Sequence, residues 1–391
     1  MERLYSIWAI ILLIMAGCGG GKQSTDELIM VDVTRNYPKK ELILQDFMDV
    51  EYIALETTDK LVNQGIVMAI GKEIILVRNT VNDGNIFVYD RTGKGIRTIN
   101  RKGNGGQEYP SLSEIVLDEE QNEIFVNTIN RILVYDLFGN FKRSLPYKEG
   151  SRYAGLYQFD RESLICKDTS YDTDKEEPVK SPFLIISKQD GRVIKEIQIP
   201  LQQKRTTEYI RPRGETFISF YTSNLPNESI IPYHDNWILT AYSTDTIFSF
   251  LPDHGLTPFI VRTPSVQSGN PKAFLAPGIL TERYYFLYTE KMEPEFLSTT
   301  IMEFPRTNLM YDRQDKTLYE HTTYNDDYSS KKTVNMSIRT RNNEIVFWQK
   351  IEADDLFEAY EKGQLKGKLK EIAANVKEED NPVIMLVKHK R

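Results

Sequence analysis

Cysteine and histidine are scarce in this sequence of 391 residues, which contains two of the first and four of the second. No His-x-x-x-His pair and no Cys-x-x-Cys motif is present, so the residue spacing argues against a zinc site. No cysteine–histidine signature of a cysteine hydrolase is present either. The histidines stand alone along the chain, which weakens a histidine-based acid–base mechanism; they are His234, His254, His321 and His389.

Long hydrophobic runs and an excess of basic residues are missing as well. The net charge is −7, from 49 Lys and Arg against 56 Asp and Glu, which argues against a general nucleic-acid binder. A bilayer-spanning helix needs about 20 apolar residues, and the stretch Ile7–Met15 is too short. What is present is an ordinary globular balance, with 40% hydrophobic and 27% charged residues, and 11% aromatic residues that favour strands.

The N-terminus has the pattern of a secretory leader. Arg3 precedes the apolar stretch, which ends at the small pair Ala16-Gly17, so residues 1–17 are predicted to be a cleaved signal peptide. The segment Leu13-Ile14-Met15-Ala16-Gly17-Cys18 resembles a bacterial lipobox, with Met15 standing where Leu is usual. The alternative is an ordinary signal peptide followed by an unmodified cysteine.

The lipobox resemblance implies that Cys18 is the lipidated first residue of the mature chain, with residues 18–30 as a flexible tether. Several acyl chains, each contributing about 0.8 kcal/mol per buried methylene, hold such a protein stably on a membrane. Cys166 is then left without a disulfide partner. Because Ser163–Cys166 reads as a strand, we expect a buried, inert thiol there.

Internal repeats predict the architecture. Ile86–Gly93 aligns without gaps on Ile132–Gly139 at an offset of 46 residues, and both copies read as a strand, an Asp-x-x-Gly turn and a second strand. Fainter copies of the turn occur at 188–191, 251–255 and 311–316.

One repeat contains four short strands, at roughly 113–117, 123–127, 131–136 and 141–145, which is typical of a propeller blade. The length from Val31 to Lys388 accommodates six blades, with seven as the alternative count and a β-sandwich as the alternative fold. We therefore predict an all-β, six-bladed propeller of four-stranded antiparallel blades over residues 31–391. Loop insertions are predicted at 201–232 and 290–306.

The C-terminal region interrupts the strand pattern. Apolar residues recur at helical spacing over 353–377, and Gly363 and Gly367 predict that this helical insertion is broken into two parts. A closing strand follows at 381–387. We expect it to complete a blade begun by N-terminal strands around Leu28–Val33, which would close the ring.

Three segments together resemble the six-bladed β-propeller lipoproteins of Bacteroidota, namely 47–58 (FMDVEYIALETT), 101–110 (RKGNGGQEYP) and 380–385 (DNPVIM). The loop of that family usually reads Gly-Arg-Gly-Pro-Gly-Glu-Tyr, and Asn104 and Gly106-Gln107 depart from it here. The resemblance implies NHL-type repeats and a location in the cell envelope, with the outer membrane as the expected anchor point. It implies no defined activity.

The candidate ligand site lies in the glycine-rich loop at 101–110. Gly103–Gly106 lacks the Gly-Lys-Ser/Thr of a phosphate-binding loop and opens no helix, so a nucleotide site is disfavoured. In a propeller, this loop links two blades on the same face as 127–130. The predicted ligand-binding residues are therefore Arg101, Lys102, Glu108, Tyr109, Asn127 and Asn130; the alternative is a plain linker between blades.

Other constellations carry weaker signals for chemistry. The acidic residues Asp172, Asp174, Glu176 and Glu177 lack the glycine and glutamate positions of a calcium loop. The turn at 187–191 does not match the sialidase pattern, and the aromatic runs at 284–288 and 347–348 fit blade packing better than sugar stacking. We therefore expect a non-catalytic scaffold that binds a protein or glycan partner, with no cofactor and no metal. The alternative is a carbohydrate-active or other hydrolytic enzyme with its site at the channel mouth.

Overall fold

The structure is a computed structural model that describes residues 28–172, 182–200, 208–213, 217–222, 228–241, 243–268, 273–291, 293–296, 302–338 and 342–390. Its strands form six blades around a central channel, as predicted. Three strands and one short helix precede the first blade: β1 (Ile29–Asp32), β2 (Lys39–Ile43), α1 (Leu44–Phe47) and β3 (Met48–Ala54).

The first two blades match the repeat seen in the sequence. Blade 1 contains β4 (Ile66–Ile70), β5 (Ile74–Arg78), β6 (Asn85–Asp90) and β7 (Gly95–Asn100); blade 2 contains β8 (Glu114–Asp118), β9 (Glu123–Asn127), β10 (Arg131–Asp136) and β11 (Phe141–Pro146). Each sheet is antiparallel and pairs its strands in chain order. The four predicted strands of the repeat are confirmed to within one residue at each end.

The next two blades are more elaborate. Blade 3 contains β12 (Tyr153–Gln158), β13 (Ser163–Asp168), a 3₁₀ turn (Thr169–Asp172), β14 (Phe183–Ser187) and β15 (Val193–Ile197). A separate hairpin, β16 (Glu208–Arg213) and β17 (Phe217–Thr222), precedes blade 4, which contains β18 (Glu228–Tyr233), β19 (Asn236–Ala241), β20 (Thr246–Phe250) and β21 (Leu256–Thr263). The predicted loop at 201–232 is therefore wrong in part, because 228–232 belongs to the inner strand of blade 4.

Blade 5 contains β22 (Ala273–Leu280), β23 (Tyr284–Lys291), β26 (Arg306–Asp312) and β27 (Thr317–Asn325), with β28 (Lys332–Val334) beside β27. The small hairpin β24 (Glu295–Phe296) and β25 (Met302–Glu303) lies within the predicted insertion at 290–306. Blade 6 pairs β29 (Ile345–Ile351), β30 (Val383–His389) and β3 in that order. On the inner side of blade 6, the Met336 carbonyl accepts a hydrogen bond of 3.1 Å from the Ile279 amide of blade 5.

Ring closure differs from the expectation. The terminal strand β30 pairs with β3, with Met48 opposite His389, whereas β1 lies parallel to β21 at the edge of blade 4 and β2 lies parallel to β27 at the edge of blade 5. The prediction that the Leu28–Val33 strand pairs with the closing strand is therefore wrong. The seven residues of β3 pair with all seven residues of β30, whereas β1 has four residues and could not cover the whole edge of the closing strand.

The repeated Asp-x-x-Gly turns join the third and fourth strands of the blades. Asp90 Oδ1 accepts hydrogen bonds from the amides of Thr92 and Lys94 at 2.8 and 3.1 Å, and Gly93 has φ +89°. A Cβ on Gly93 would lie 2.0 Å from a backbone carbonyl oxygen of β3, so only glycine fits where this turn meets blade 6. The turn of blade 1 thus packs directly against the end of β3, and this contact joins blade 1 to blade 6.

The predicted helical insertion is confirmed as two helices, α2 (Ala353–Glu361) and α3 (Gly367–Ala373). Gly363 and Gly367 both have positive φ, which breaks the helix at the predicted place. Leu356 and Leu369 are buried in one apolar cluster with residues of blades 5 and 6, so the helices fill the wedge between these blades.

Because successive strands alternate in direction, the propeller has two distinct faces. We call the face with the turns between first and second strands, such as 71–73 and 119–122, the turn face. The opposite face carries the loops between second and third strands and the segments that connect blades, such as 101–113; we call it the connection face.

Candidate functional site

A cleft of about 740 Å³ occupies the channel and opens on the turn face; we call it the channel cleft. Its walls are the inner strands β4, β8 and β12. Its rim is formed by the turns that follow β8 and β12, by two turns of blade 4 and by the start of blade 6. Its apolar and aromatic lining residues are Met68, Ala69, Ile70, Ile115, Val116, Leu117, Leu156, Tyr157, Phe159, Pro232, Trp237, Pro252 and Trp348.

An aromatic cluster forms one wall of the channel cleft, where blades 3 and 4 meet. The rings of Phe159 and Trp237 stack with centroids 5.9 Å apart, and Tyr157 meets Trp237 edge-on at the same distance. Trp348 lies on β29 of blade 6 and supplies an indole from a different side of the channel. Both indoles are half-buried, so part of each ring is open to a ligand.

Charged side chains stand on the rim. Glu120, Asp160 and Asp235 are exposed carboxylates in three successive turns of the turn face. Glu120 and Asp235 make no hydrogen bond and no ion pair with any residue that the structure describes. The guanidinium on the same rim, Arg161, is 82% exposed and lies 3.9 Å from Glu162. The rim is therefore predominantly anionic.

Two histidines that are far apart in sequence meet at the rim, where His234 lines the cleft. The rings of His234 and His389 lie parallel with centroids 6.4 Å apart, and His234 Nε2 is 3.1 Å from Glu282 Oε1. Burial and the neighbouring His234 lower the pKa of His389, and Glu282 opposes this shift. The isolation of the histidines in sequence did not reveal this contact, because it joins blades 4, 5 and 6.

The predicted ligand loop lies on the connection face, opposite the mouth of the channel cleft. Tyr109 is fully buried; its hydroxyl donates to the Gly84 carbonyl at 2.8 Å and accepts from the Arg101 amide at 2.9 Å. Burial raises the pKa of Tyr109 to about 12. Glu108 accepts a hydrogen bond of 2.9 Å from the Gly105 amide, so Tyr109 and Glu108 organise the loop itself.

The other predicted residues are dispersed over the connection face. Arg101 is exposed and its Nε donates to the Gly139 carbonyl at 2.7 Å, while the ammonium of the exposed Lys102 contacts the Asn82 carbonyl. Asn127 is buried and donates to the Tyr153 carbonyl at 2.9 Å, whereas Asn130 is exposed. The loop and residues 127–130 thus share one face, as expected, and none of these side chains lines the channel cleft. Their ligand-binding role stays a prediction.

The positions of the aromatic runs, the cysteines and the acidic residues can be compared with the expectations from the sequence. The aromatic residues at 284–286, 288 and 347 are at most 5% exposed, which confirms blade packing, whereas Trp348 lines the channel cleft. Cys166 is fully buried, and burial raises the pKa of its thiol well above the ordinary value. Cys18 lies outside the described residues, and so do Asp174, Glu176 and Glu177.

The described residues hold neither a metal-binding cluster nor a membrane-spanning helix. Among them, no cluster of three or more His, Cys, Asp or Glu side chains has an arrangement that could hold a metal ion. No helix within the same ranges is long and apolar enough to cross a bilayer.

One family model and two solved structures are similar to this chain. The family model described as Domain of unknown function (DUF4934) matches residues 28–388. A solved structure of a candidate exported protein from Bacteroides fragilis is similar with a TM-score of 0.56 and 15% identity, over 93% of this chain and 100% of that one. A DUF4221 family member from Bacteroides vulgatus has a TM-score of 0.46 and 10% identity, over 89% and 99%. At these identities the likeness concerns the fold alone. The search of curated proteins returned no match.

Proposed function

The chain belongs to the DUF4934 family, and from the channel cleft of its propeller we propose that it is a non-catalytic binding module that holds a ligand in this cleft. The observation that carries the proposal is the pair of half-buried indoles, Trp237 and Trp348, on different sides of one large cavity. Large apolar clefts with a few polar groups at the rim are the usual form of a small-molecule site. A rigid ring of sheets holds such a cleft open without the need for an ordering step on binding.

We further propose that the protein works in the cell envelope, anchored in the outer membrane through acyl chains on Cys18. The leader pattern at residues 1–17 and the lipobox-like segment support this location. The similarity to a candidate exported protein of Bacteroides fragilis agrees with it. The membrane is thus a partner through the lipid, while the propeller binds the ligand.

Plugging the channel cleft tests the binding function. Gln158 is exposed and lines the cleft, so a Gln158→Cys variant labelled with a bulky maleimide fills its mouth. The matched control is Ile129→Cys, which places the same label on the connection face at a side chain that is 70% exposed. Cys166 is buried and the proposed acylation blocks the sulfur of Cys18, so the label reports the introduced thiol in the same way in both variants.

The measurement is native mass spectrometry of both labelled proteins after incubation with fractionated envelope lipids, glycans and metabolites. We expect a bound component with the wild type and with labelled Ile129→Cys, and loss of that component with labelled Gln158→Cys. Equal capture by both labelled variants would place the binding site elsewhere, with the predicted loop at 101–110 as the next region to test.

A hydrolytic enzyme is the second candidate function, and the carboxylates on the rim favour it. Glycosidases use two carboxyl groups roughly 5 to 10 Å apart, and Glu120, Asp160 and Asp235 border the same cavity. Turnover of any glycan in a library, abolished by Glu120→Gln or Asp235→Asn, would favour the enzyme over the binding module.

A further inference from the structure

The aromatic wall and the anionic rim of the channel cleft select one class of ligand. We infer that the channel cleft binds an organic cation, a compound with an ammonium group on an apolar body. This inference rests on the proposed function, since it names the ligand class of the same site. It follows from three features of the cleft, taken in turn.

The first feature is the concentration of aromatic rings. The face of an indole or phenol carries partial negative charge and attracts an ammonium group within about 6 Å of the ring centroid. Tyr157, Phe159 and Trp237 form one contiguous cluster, with neighbouring centroids 5.9 Å apart, and Trp348 stands apart from it on blade 6. A cation inside the cleft can therefore approach aromatic rings from more than one side.

The second feature is the sign of the charge at the mouth. Of the ionisable groups that line the cleft, three are carboxylates, one is a guanidinium and one is the imidazole of His234, which lies 3.1 Å from the Glu282 carboxylate. The guanidinium, Arg161, already lies near the Glu162 carboxylate, whereas Glu120 and Asp235 have no partner among the described residues. Asp160 Oδ1 is occupied, since it accepts from the Ser163 amide and hydroxyl at 2.7 Å. The field at the mouth draws cations in and repels phosphate, sulfate and carboxylate groups.

The third feature is the apolar wall between the rings. Met68, Leu117 and Leu156 lie on the inner strands and line the cleft, and the first two are only half-buried. Covering exposed apolar surface of this kind with a ligand is favourable, which favours an alkyl or aromatic body over a fully hydroxylated one. The combination fits an amphiphilic amine or quaternary ammonium compound.

The tryptophan content provides a direct reporter of binding. The sequence has three tryptophans, Trp8, Trp237 and Trp348, and the last two line the channel cleft. Trp8 lies in the predicted signal peptide at 1–17, so all tryptophan fluorescence of the processed protein arises from the cleft. The Trp8→Phe variant gives the same property to the unprocessed chain. The probes are choline and its neutral carbon isostere 3,3-dimethyl-1-butanol, which has the same shape without the charge. A neutral oligosaccharide, maltohexaose, is the third probe.

We expect saturable quenching by choline, with an affinity at least ten-fold above that for the isostere and with no saturable response to maltohexaose. The double variant Glu120→Gln/Asp235→Asn should weaken choline binding about five-fold or more and leave the isostere unchanged. The matched control is Asp59→Asn/Glu149→Gln, which removes two exposed carboxylates from the connection face and should leave choline binding unchanged.

The inference is overturned if choline binds no better than its isostere, if maltohexaose binds better than choline, or if choline gives no saturable response. It is also overturned if the control variant weakens choline binding as much as the variant on the rim. The plugging experiment tests separately whether the cleft binds any ligand. A failure of the cation hypothesis can therefore be distinguished from a failure of the proposed binding function.

Discussion

His321 should make the stability of the propeller depend on pH between 7 and 5. This residue lies on β27 with 6% of its surface exposed, its Nδ1 is 3.2 Å from Thr323 Oγ1, and its ring meets Phe286 edge-on at 4.8 Å. Burial disfavours the imidazolium form and lowers the pKa of His321 from 6.5 to about 4. The folded chain therefore keeps this side chain neutral where the unfolded chain protonates it.

The sign and the size of the effect follow from proton linkage. Above pH 6.5 the side chain is neutral in both states, so the full stability is present there. As the pH falls from 6.5 towards 4, only the unfolded state binds the proton, and the free energy of unfolding decreases by about 3 kcal/mol in total. Roughly 2 kcal/mol of this loss falls between pH 7 and pH 5.

Urea unfolding at pH 7 and pH 5 measures this loss. His321→Phe and His321→Gln cannot bind the proton, so each should lose about 2 kcal/mol less than the wild type over this interval, whatever its stability at pH 7. His254→Asn is the control, because it removes an exposed imidazole and should retain the dependence of the wild type. An equal loss in the wild type and in both His321 variants would refute the reasoning.

Three further predictions concern stability and location. Lys188→Met should destabilise the fold by about 3–5 kcal/mol in urea, because Lys188 Nζ is 2.8 Å from Asp118 Oδ2 and both side chains are at most 3% exposed. Adding Asp118→Asn should recover part of the loss, and no recovery would contradict this explanation. Gly93→Ala should cost about 2 kcal/mol or more, whereas Gly106→Ala, which has open space around it, should be near neutral by the same measurement. Cys18→Ala should move the protein from the membrane fraction to the soluble fraction, and its persistence on membranes would rule out the lipid anchor.

Blades 1 and 2, whose sequences repeat most closely, could be predicted from the sequence alone. The turns at Asp90 and Asp136 are local, since each aspartate bonds to the backbone of its own turn and a glycine follows at positive φ. The same holds for the break between α2 and α3 at Gly363. Such features depend on a few neighbouring residues and can therefore be identified from sequence patterns.

The pairing of the N-terminal strands and the channel cleft could not be predicted from the sequence, because both depend on contacts between distant residues. Strand β1 could in principle pair with several exposed edges, and its choice of β21 rests on the geometry of the finished blade 4. Trp237 and Trp348 are separated by more than a hundred residues and meet the same cavity because their blades are in one ring. The sequence signal that could have indicated the site was the position of Trp237, just after the turn between β18 and β19.

The pairing of β3 with β30 also affects how the protein must fold. Residues 48 and 389 stand 341 positions apart, so β3 finds its partner only after nearly the whole chain is present. Residues 29 and 260 stand 231 apart, so β1 finds its partner only after about two-thirds of the chain is present. Contacts between such distant positions slow folding, because long loops must close before those contacts contribute any stability. The last blade therefore cannot close during synthesis or transport of the N-terminal part. Until its final seven-residue strand arrives, the nascent ring has an open edge that is exposed to aggregation.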